Sequence, residues 1–368
     1  MSRCDGGAAA LLQDLPVFDA HVDSLQRMLD LGHDLGERGP GQLDLVRGRE
    51  GGLGAVVLVC WVDPSFLPDG SFDRAAALLS TAHDLAQRHP ERLRLVRDGD
   101  ELAAARRAGV TAGIPGIEGG HAIEESLDKL RWFHARGLRV LTLVWNNHLT
   151  WIRSCQDGAG PEVPAGLSAF GREVVREMNR LGMVVDLSHA GERSFYDALE
   201  ETSRPVFASH SGCAALHSHP RNLTDDQLRA LRDNGGVVGI VFHPGFLDAD
   251  AQKEEARIRS TDAYRALQGP GDTGLYLAQS EHLQTHARPL PAARVADHVV
   301  HAVEVAGIDH VGVGSDFDGI QRGPEGLEDA STYGRLAELL LQRGFAAAEV
   351  RKVLGGNMER VFSAATRS

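Results

Sequence analysis

The chain has 368 residues, 42% hydrophobic and 24% charged, an ordinary globular composition that excludes the disordered and fibrous classes. Its formal net charge of −13 argues against nucleic acid or an anionic membrane as a partner. The scattered Cys4, Cys60, Cys155 and Cys213 form no C-x-x-C pair, and residues 1–15 lack a signal-peptide core, so we expect a reduced, cytoplasmic protein without a membrane span.

Eight apolar segments recur along the chain, and each is predicted to be a buried β-strand. The first, residues 17–23, ends in a histidine and a carboxylate two positions apart. Residues i and i+2 of an extended strand point to the same side, so His21 and Asp23 are expected to aim at one point. The other strands are predicted at residues 54–61, 111–118, 140–146, 183–189, 205–211, 236–243 and 310–318.

Helical periodicity separates these strands, with Ser168 and Thr224 as predicted N-caps and glycines at several of the predicted C-terminal ends. The helices are predicted at residues 73–89, 124–137, 168–181, 191–201, 224–233, 291–307, 333–343 and 346–354. Residues 248–290 break the alternation, because they are polar and charged and contain Gly-Pro turns around residues 269–271. A connection this long is usually functional or mobile, so we predict a helical or irregular insertion, or lid, after strand seven.

Eight strands that alternate with helices favour an α/β fold of the (β/α)8 TIM-barrel type, because right-handed crossovers make the sheet parallel. The prediction treats residues 1–368 as a single domain with the insertion at about 248–290. A doubly wound open sheet is the alternative. It is weaker, since no G-x-G-x-x-G follows the first strand.

Metal-binding side chains stand at the ends of five predicted strands, and these ends form the mouth of such a barrel. Each one alone is more often a structural polar residue or a strand cap. Together they would be costly at one mouth without a shared partner, which a cation supplies. Three histidines with two or three carboxylates exceed the needs of one tetrahedral zinc, so two divalent ions are expected. The six residues are His21, Asp23, Glu118, His189, His210 and Asp316.

Two of the carboxylates suit particular roles in such a centre. Two ions need a bridging ligand, and Glu118 can divide its two oxygens between them. Asp316, on the last strand, is placed to handle the proton of a shared water molecule.

Eight motifs across residues 17–362 resemble, in order, the renal (membrane) dipeptidase family of metallopeptidases in the amidohydrolase superfamily. The likeness covers nearly the whole chain. The motifs are FDAHVD (18–23), IEGGH (117–121), LTL (141–143), VDLSH (185–189), ASHS (208–211), HPRN (219–222), GVGSDFDG (312–319) and GGNMERVF (355–362).

This resemblance implies a dinuclear zinc enzyme that uses a metal-bridging hydroxide to hydrolyse dipeptides with a free C-terminal carboxylate. Arg221 matches the residue that grips this carboxylate, and a guanidinium fork suits that task, although a surface ion-pair arginine is the alternative. The family often dimerises, so a homodimer is one further expectation. The implied roles are His21 and Asp23 on one ion, His189 and His210 on the other, Glu118 between them and Asp316 as catalytic acid and base.

One position departs from the family pattern. Characterised dipeptidases of the family carry Thr-His after Leu-Thr-Leu, and that histidine helps stabilise the oxyanion, whereas Val144 and Trp145 stand here. If the indole faces the site, this task falls to the metal, Asn146 or His148; alternatively, Trp145 forms a pocket wall. His243, at the end of strand seven, is a further candidate substrate contact or else a core histidine.

Three functions are consistent with these residues. The first is a zinc-dependent dipeptidase. The second, suggested by Trp145, is an amide, lactam or ester hydrolase of the same superfamily with another substrate. The third is a metal-binding or small-molecule-binding protein with a degenerate site, against which the complete set of ligands argues.

Overall fold

A closed ring of parallel strands lies at the centre of the computed structural model, which describes residues 17–367. Cys4 and residues 1–15, on which part of the cysteine and signal-peptide predictions depends, lie outside the described residues. The strands are β1 (Val17–Val22), β2 (Leu53–Trp61), β3 (Leu93–Leu95), β4 (Thr111–Glu118), β5 (Val140–Thr142), β6 (Val184–Asp186), β7 (Phe207–Ser211), β8 (Val237–Ile240) and β9 (Val311–Val313).

Helices surround this ring and also follow β8. They are α1 (Leu25–Leu31), α2 (Leu45–Glu50), α3 (Ser71–Arg88), α4 (Gly99–Arg107), α5 (Leu127–Ala135), α6 (Ala169–Leu181), α7 (Glu192–Glu201), α8 (Asp225–Asn234), α9 (Pro244–Leu247), α10 (Ala249–Arg259), α11 (Asp262–Arg265), α12 (Gly271–His286), α13 (Ala293–Ala306), α14 (Tyr333–Gln342), α15 (Ala347–Arg351) and α16 (Asn357–Ala365). None of the helices described combines the length and apolar character needed to cross a bilayer.

The pairing of β2 with β4 closes the barrel, with registers from Ala55 beside Ala112 to Trp61 beside Glu118. Around the ring the order is β2, β1, β9, β8, β7, β6, β5 and β4, and every ladder is parallel. The (β/α)8 barrel is therefore confirmed and the open sheet was the wrong alternative. The unpredicted β3 pairs only with the first residues of β4 and stands outside the ring of eight.

Several strands end earlier than predicted, because the residues that follow them leave the ladder. β5, β6 and β9 have three residues each, whereas the predicted strands continued to residues 146, 189 and 318. His189 and Asp316, within the predicted extensions, have φ values of 67° and 64°, which no strand accommodates.

Two predicted helices also differ from the observed helices at one end. The helix predicted from residue 124 begins at Leu127, because Glu124 and Glu125 have φ values of 45° and 52°. The α-helix predicted at 346–354 ends at Arg351. The chain continues as a π-helical segment, Lys352–Gly356, that leads into α16. The helices α1, α2, α4, α9 and α16 were not predicted.

Side chains of β2 alternate between two apolar layers. Val56, Leu58 and Cys60 face the surrounding helices, whereas Ala55, Val57 and Val59 fill the barrel interior. Helix α16 closes one end of the interior with Phe362. The helix approaches closely at Gly312 in β9, where a Cβ atom would lie 2.7 Å from Met358 Cε.

The predicted insertion is helical and has a small apolar cluster of its own. Ile258, Tyr264 and Leu283 are buried together there. An ion pair between buried Arg322 and Glu255, 2.9 Å from Nε to Oε1, joins α10 to the segment after β9. These contacts hold the insertion against the barrel mouth, while the single-domain assignment stays a prediction.

Candidate metal centre

The six metal-site residues predicted from the sequence converge at the barrel mouth. Glu118 Oε1 is the common point, at 2.9 Å from His189 Nε2, 3.3 Å from His210 Nε2 and 3.6 Å from His21 Nε2. His21 Nε2 also lies 3.4 Å from Asp23 Oδ2 and 4.0 Å from Asp316 Oδ1. Within the described residues, three groups could each hold an ion: His21–Asp23–Glu118, Glu118–His189–His210 and His21–His210–Asp316.

The six side chains form a metal-site ring. Hydrogen bonds on the outer side of this ring orient His189 and His210 so that Nε2 faces its centre. His189 Nδ1 lies 2.9 Å from Asn146 Oδ1, an acceptor that also receives a hydrogen bond from Gln156. His210 Nδ1 lies 2.8 Å from Ser209 Oγ, which donates its own hydrogen to Asp186 Oδ2 at 2.6 Å. Each Nδ1 therefore carries the proton and each Nε2 presents a lone pair, which is the tautomer that a metal ligand needs.

Two buried carboxylates hold the backbone beneath the ring. Asp186 accepts hydrogen bonds from the Thr142 hydroxyl at 2.5 Å and from the Ser209 N–H at 2.8 Å. Asp19 accepts from the N–H groups of His21 and Ser315 and from the Tyr333 hydroxyl. They fix the positions from which the ring side chains project.

The side chains of this ring are arranged to bind cations rather than one another. The Nε2 atoms of His189 and His210 are 3.0 Å apart, although both present lone pairs. His21 Nε2 and Asp23 Oδ1 are buried and have no hydrogen-bond partner. Such groups are costly to bury unless a positive charge joins them, so the residues present fit divalent ions.

The charges in the ring shift each other's pKa values. Burial alone would raise the pKa of Glu118, but His21 and His189 hold it well below its usual range. Burial opposes protonation of His21, yet the carboxylates of Glu118 and Asp23 raise its pKa well above the usual value. Burial and nearby Arg221 lower the pKa of His189 to about 4. The cluster thus attracts positive charge while His189 stays neutral.

Asp316 has a strained position beside the ring. Its φ of 64° is unusual for a residue with a side chain, and such strain concentrates at functional sites. A Cβ atom on Gly319 would lie 2.3 Å from both Asp316 Oδ1 and Asp23 Oδ2, so only glycine allows this approach. Burial and the charges of Asp23 and Glu118 raise the pKa of Asp316 well above its usual range, although His21 opposes this. This carboxyl group can therefore hold a proton.

Arg221 lies at the same mouth and is 3% exposed. Its Nη2 donates to the carbonyl of His210 at 3.0 Å, and its guanidinium lies 5.5 Å from the ring centroid of Phe246. Arg221 Nε is buried without a partner. It is therefore not a surface ion-pair arginine, and it keeps donor capacity for an anion.

Trp145 lies beside the ring rather than away from it. Its ring centroid is 6.2 Å from that of His189 and 5.2 Å, edge to face, from that of Trp61. The two indoles form an aromatic wall at the end of β2. Asn146, the next residue, uses its side-chain oxygen to orient His189.

His148 and His243 lie in less direct positions. His148 accepts the N–H of Ser154 at 3.2 Å through Nδ1, and its Nε2 lies 3.3 Å from the carbonyl of Asp157, so both ring nitrogens contact a neighbouring loop. His243 Nδ1 accepts the N–H of Gly245 at 2.9 Å and the ring stacks on Phe246. Their contact with a substrate stays a prediction.

Sequence reasoning missed several residues that shape this centre. Asp19, Asp186 and Ser209 lie inside motifs that were recognised for their neighbours, and their own signal was a polar residue within an apolar strand. Tyr276, from α12, has no such signal, because it approaches the mouth from an insertion 40 residues or more from any ligand in the chain.

Comparison with known proteins agrees with this geometry. The family described as membrane dipeptidase, peptidase family M19, matches residues 7–368. An uncharacterised dipeptidase of Schizosaccharomyces pombe is 37% identical over 264 residues, which is 72% of this chain and 55% of that protein. Dipeptidase tcpJ of Claviceps purpurea is 36% identical over 264 residues, 71% of this chain and 53% of that protein. The chain thus spans about half the length of these curated relatives.

A solved structure gives a similar result over the whole fold. A metallopeptidase of Rhodobacter sphaeroides, liganded with a phosphinate mimic of the dipeptide L-Ala-D-Ala, superposes with a TM-score of 0.78 at 27% identity. The match covers 95% of this chain and 99% of that one.

Proposed function

Since this chain belongs to the membrane dipeptidase family, peptidase family M19, we propose that it is a zinc-dependent hydrolase of dipeptides with a free C-terminal carboxylate. The relatives named as dipeptidases and the dipeptide mimic bound by the Rhodobacter sphaeroides protein support this choice of substrate. The observation that carries the proposal is Glu118 Oε1, which three imidazole Nε2 atoms share at 2.9–3.6 Å.

The residues would hold two divalent ions, with Glu118 as the bridging ligand. His21 and Asp23 complete one group, and His189 and His210 complete the other. Bound ions supply Lewis acidity and lower the pKa of water, which is the chemistry that amide hydrolysis needs. Zinc is favoured because imidazole and carboxylate ligands suit it.

Asp316 is proposed to move the proton. Its carboxyl group lies beside His21 and Asp23, and its raised pKa allows it to take a proton from the attacking water and return it to the leaving amine. Asp316 Oδ1 is the atom that faces His21.

Arg221 is proposed to bind the substrate carboxylate, which orients the scissile carbonyl toward Glu118 and Asp316. A buried guanidinium with unused donors needs little reorganisation to bind such a group. The aromatic wall of Trp61 and Trp145 would shape the pocket opposite this arginine.

A panel of mixed dipeptides tests the proposal directly. Chelated protein is expected to be inactive, and restoring Zn²⁺ is expected to restore hydrolysis with about two ions bound per chain, measured by elemental analysis. Arg221→Met in the zinc-restored protein is expected to lower kcat/KM by about 10²–10³-fold, because a charged hydrogen bond to the carboxylate is lost. Failure of every dipeptide to be hydrolysed would reject the proposal.

A second candidate is an amide, lactam or ester hydrolase of the same superfamily. Trp145 beside His189 favours it, because an indole stands where the family's characterised dipeptidases place a histidine. This function predicts that Arg221→Met leaves activity toward the true substrate unchanged, so the same variant separates the two candidates.

A further inference from the structure

The insertion helix α12 reaches the mouth of the barrel from outside the ring of strands. It packs on α1, which begins two residues after Asp23, and the Thr273 hydroxyl donates to Asp30 at 2.6 Å. Gln279 accepts from Gln321 at 2.9 Å, in the segment that follows Asp316. The helix is therefore anchored on both sides of the metal centre, at β1 and at β9.

Tyr276 lies between these two anchors, three residues from each along the helix. Residues three apart lie on the same side of a helix, so the Tyr276 side chain lies on the same side of α12 as Thr273 and Gln279. Its hydroxyl is buried and has no hydrogen-bond partner. A buried hydroxyl without a partner costs free energy, so the site is built to receive a polar group there.

The charges around this hydroxyl show which polar group fits. Burial raises the pKa of Tyr276 well above its usual value, and the carboxylates of Asp316, Asp318 and Asp23 raise it further. The Asp318 carboxylate already accepts hydrogen bonds from Arg27 and from the N–H of Gln42. Asp316 is therefore the carboxylate near the centre that is left to interact with a bound group. With Asp316 ionised, as a proton acceptor must be before it takes a proton, an anion would be repelled here, whereas an ammonium group would be attracted.

Another part of the mouth, two strands from β9, carries the reverse charge, because Arg221 lies against the carbonyl of His210 in β7. An anionic end at β1 and β9 and a cationic end at β7 match a zwitterion that spans the metal centre. A neutral phenol can accept a hydrogen bond from an ammonium group and donate one to a carboxylate at the same time.

We propose that the Tyr276 hydroxyl binds the free α-amino group of a dipeptide held at the centre, so that the insertion selects substrates with an unblocked amino end. This inference rests on the proposed function. It makes α12 a specificity element, and an acyl group on the substrate nitrogen removes the positive charge that the subsite attracts.

Binding of non-hydrolysable ligands to the zinc-saturated full chain tests this subsite. The probes are a phosphinate dipeptide mimic with a free amino group and the same mimic without that group, and calorimetry gives Kd for each. Wild-type protein is expected to bind the amino form about 10- to 100-fold more tightly, the range for a hydrogen bond to a charged group. Tyr276→Phe is expected to reduce this preference by about 10-fold while leaving binding of the mimic without the amino group within about 2-fold.

Tyr264→Phe is the matched control, because Tyr264 belongs to the same insertion but its hydroxyl is hydrogen-bonded to Gln321. It is expected to leave the preference unchanged. Equal weakening of both ligands by Tyr276→Phe, an unchanged preference, or a wild-type protein that prefers neither ligand or binds neither would overturn the inference. Amino-dependent binding without hydrolysis of any dipeptide would instead reject the proposed function and keep the subsite.

Discussion

The two ends of the barrel interior differ although the same strands build them. β1 carries Phe18 at the closed end and His21 at the open end, and β7 carries Phe207 and His210 in the same way. At the closed end, the rings of Phe207 and Phe362 each lie 6.3 Å from that of Phe18 and meet it at steep angles. At the open end, imidazoles and carboxylates crowd around Glu118.

This difference shows how a barrel separates stability from chemistry within three residues of one strand. Apolar packing at the closed end supplies free energy of folding. The open end uses some of that stability, because it buries polar groups without partners and keeps His189 and Asp316 in left-handed conformations. Changes at the two ends should therefore have different consequences.

The largest effect is expected from Glu118→Gln at the open end. The amide keeps the size of the side chain but cannot bridge two cations, so kcat/KM should fall by on the order of 10³-fold or more. Elemental analysis should show fewer than two ions per chain, while the metal-free protein still unfolds cooperatively. Glu177→Gln, which alters a carboxylate paired with Arg131 and Arg180 outside the barrel, is the matched control and should keep full activity. An active Glu118→Gln protein would contradict the bridging role.

A change at the closed end should do the reverse. Phe362 is fully buried against Phe18, so Phe362→Ala should lower the free energy of unfolding by about 3–5 kcal/mol. Urea titration gives this value, and kcat/KM per folded molecule should stay within about 3-fold of wild type, because the site lies at the other end. Phe66→Ala is the control, since Phe66 is 40% exposed and its loss should cost less than about 1 kcal/mol. Loss of activity without loss of stability in Phe362→Ala would contradict this separation of the two ends.

The smallest effect concerns His298, a fully buried histidine that belongs to neither end. Its Nδ1 accepts the N–H of Cys213 at 3.0 Å and its Nε2 lies 3.0 Å from the carbonyl of Leu247, so the neutral ring is satisfied. Burial lowers its pKa to about 4 from an ordinary value of 6.5. Between these pH values the unfolded chain binds more protons, so stability is lost as the pH falls from 6.5 toward 4, at up to about 1.4 kcal/mol per pH unit.

Comparison of wild-type protein with His298→Gln isolates this contribution. The stability advantage of wild type should shrink by about 2 kcal/mol between pH 7 and pH 5, because glutamine does not titrate. Urea unfolding at the two pH values measures the difference. A constant advantage across this range would show that His298 titrates alike in the folded and unfolded chains.

Much of the fold could be read from local patterns. Continuous apolar runs such as residues 54–61 indicate strands buried on both faces, and the structure has β2 there. Ser168 and Thr224 were expected to cap helices, and their side chains accept N–H groups at the starts of α6 and α8. Strand ends were less predictable, because whether residues 143–146 continue the ladder depends on neighbours distant in the chain.

The amino-acid sequence by itself determined the alternation of strands and helices, the family and the identity of the six side chains at the mouth, because apolar periodicity and residue type are local properties. Only the tertiary structure decided that β2 pairs with β4, that Ser209 and Asn146 turn Nε2 of two histidines toward Glu118, and that Tyr276 enters from the insertion. These are contacts between distant parts of the chain. They depend on how the barrel closes, and closure results from the packing of all strands together rather than from any one segment.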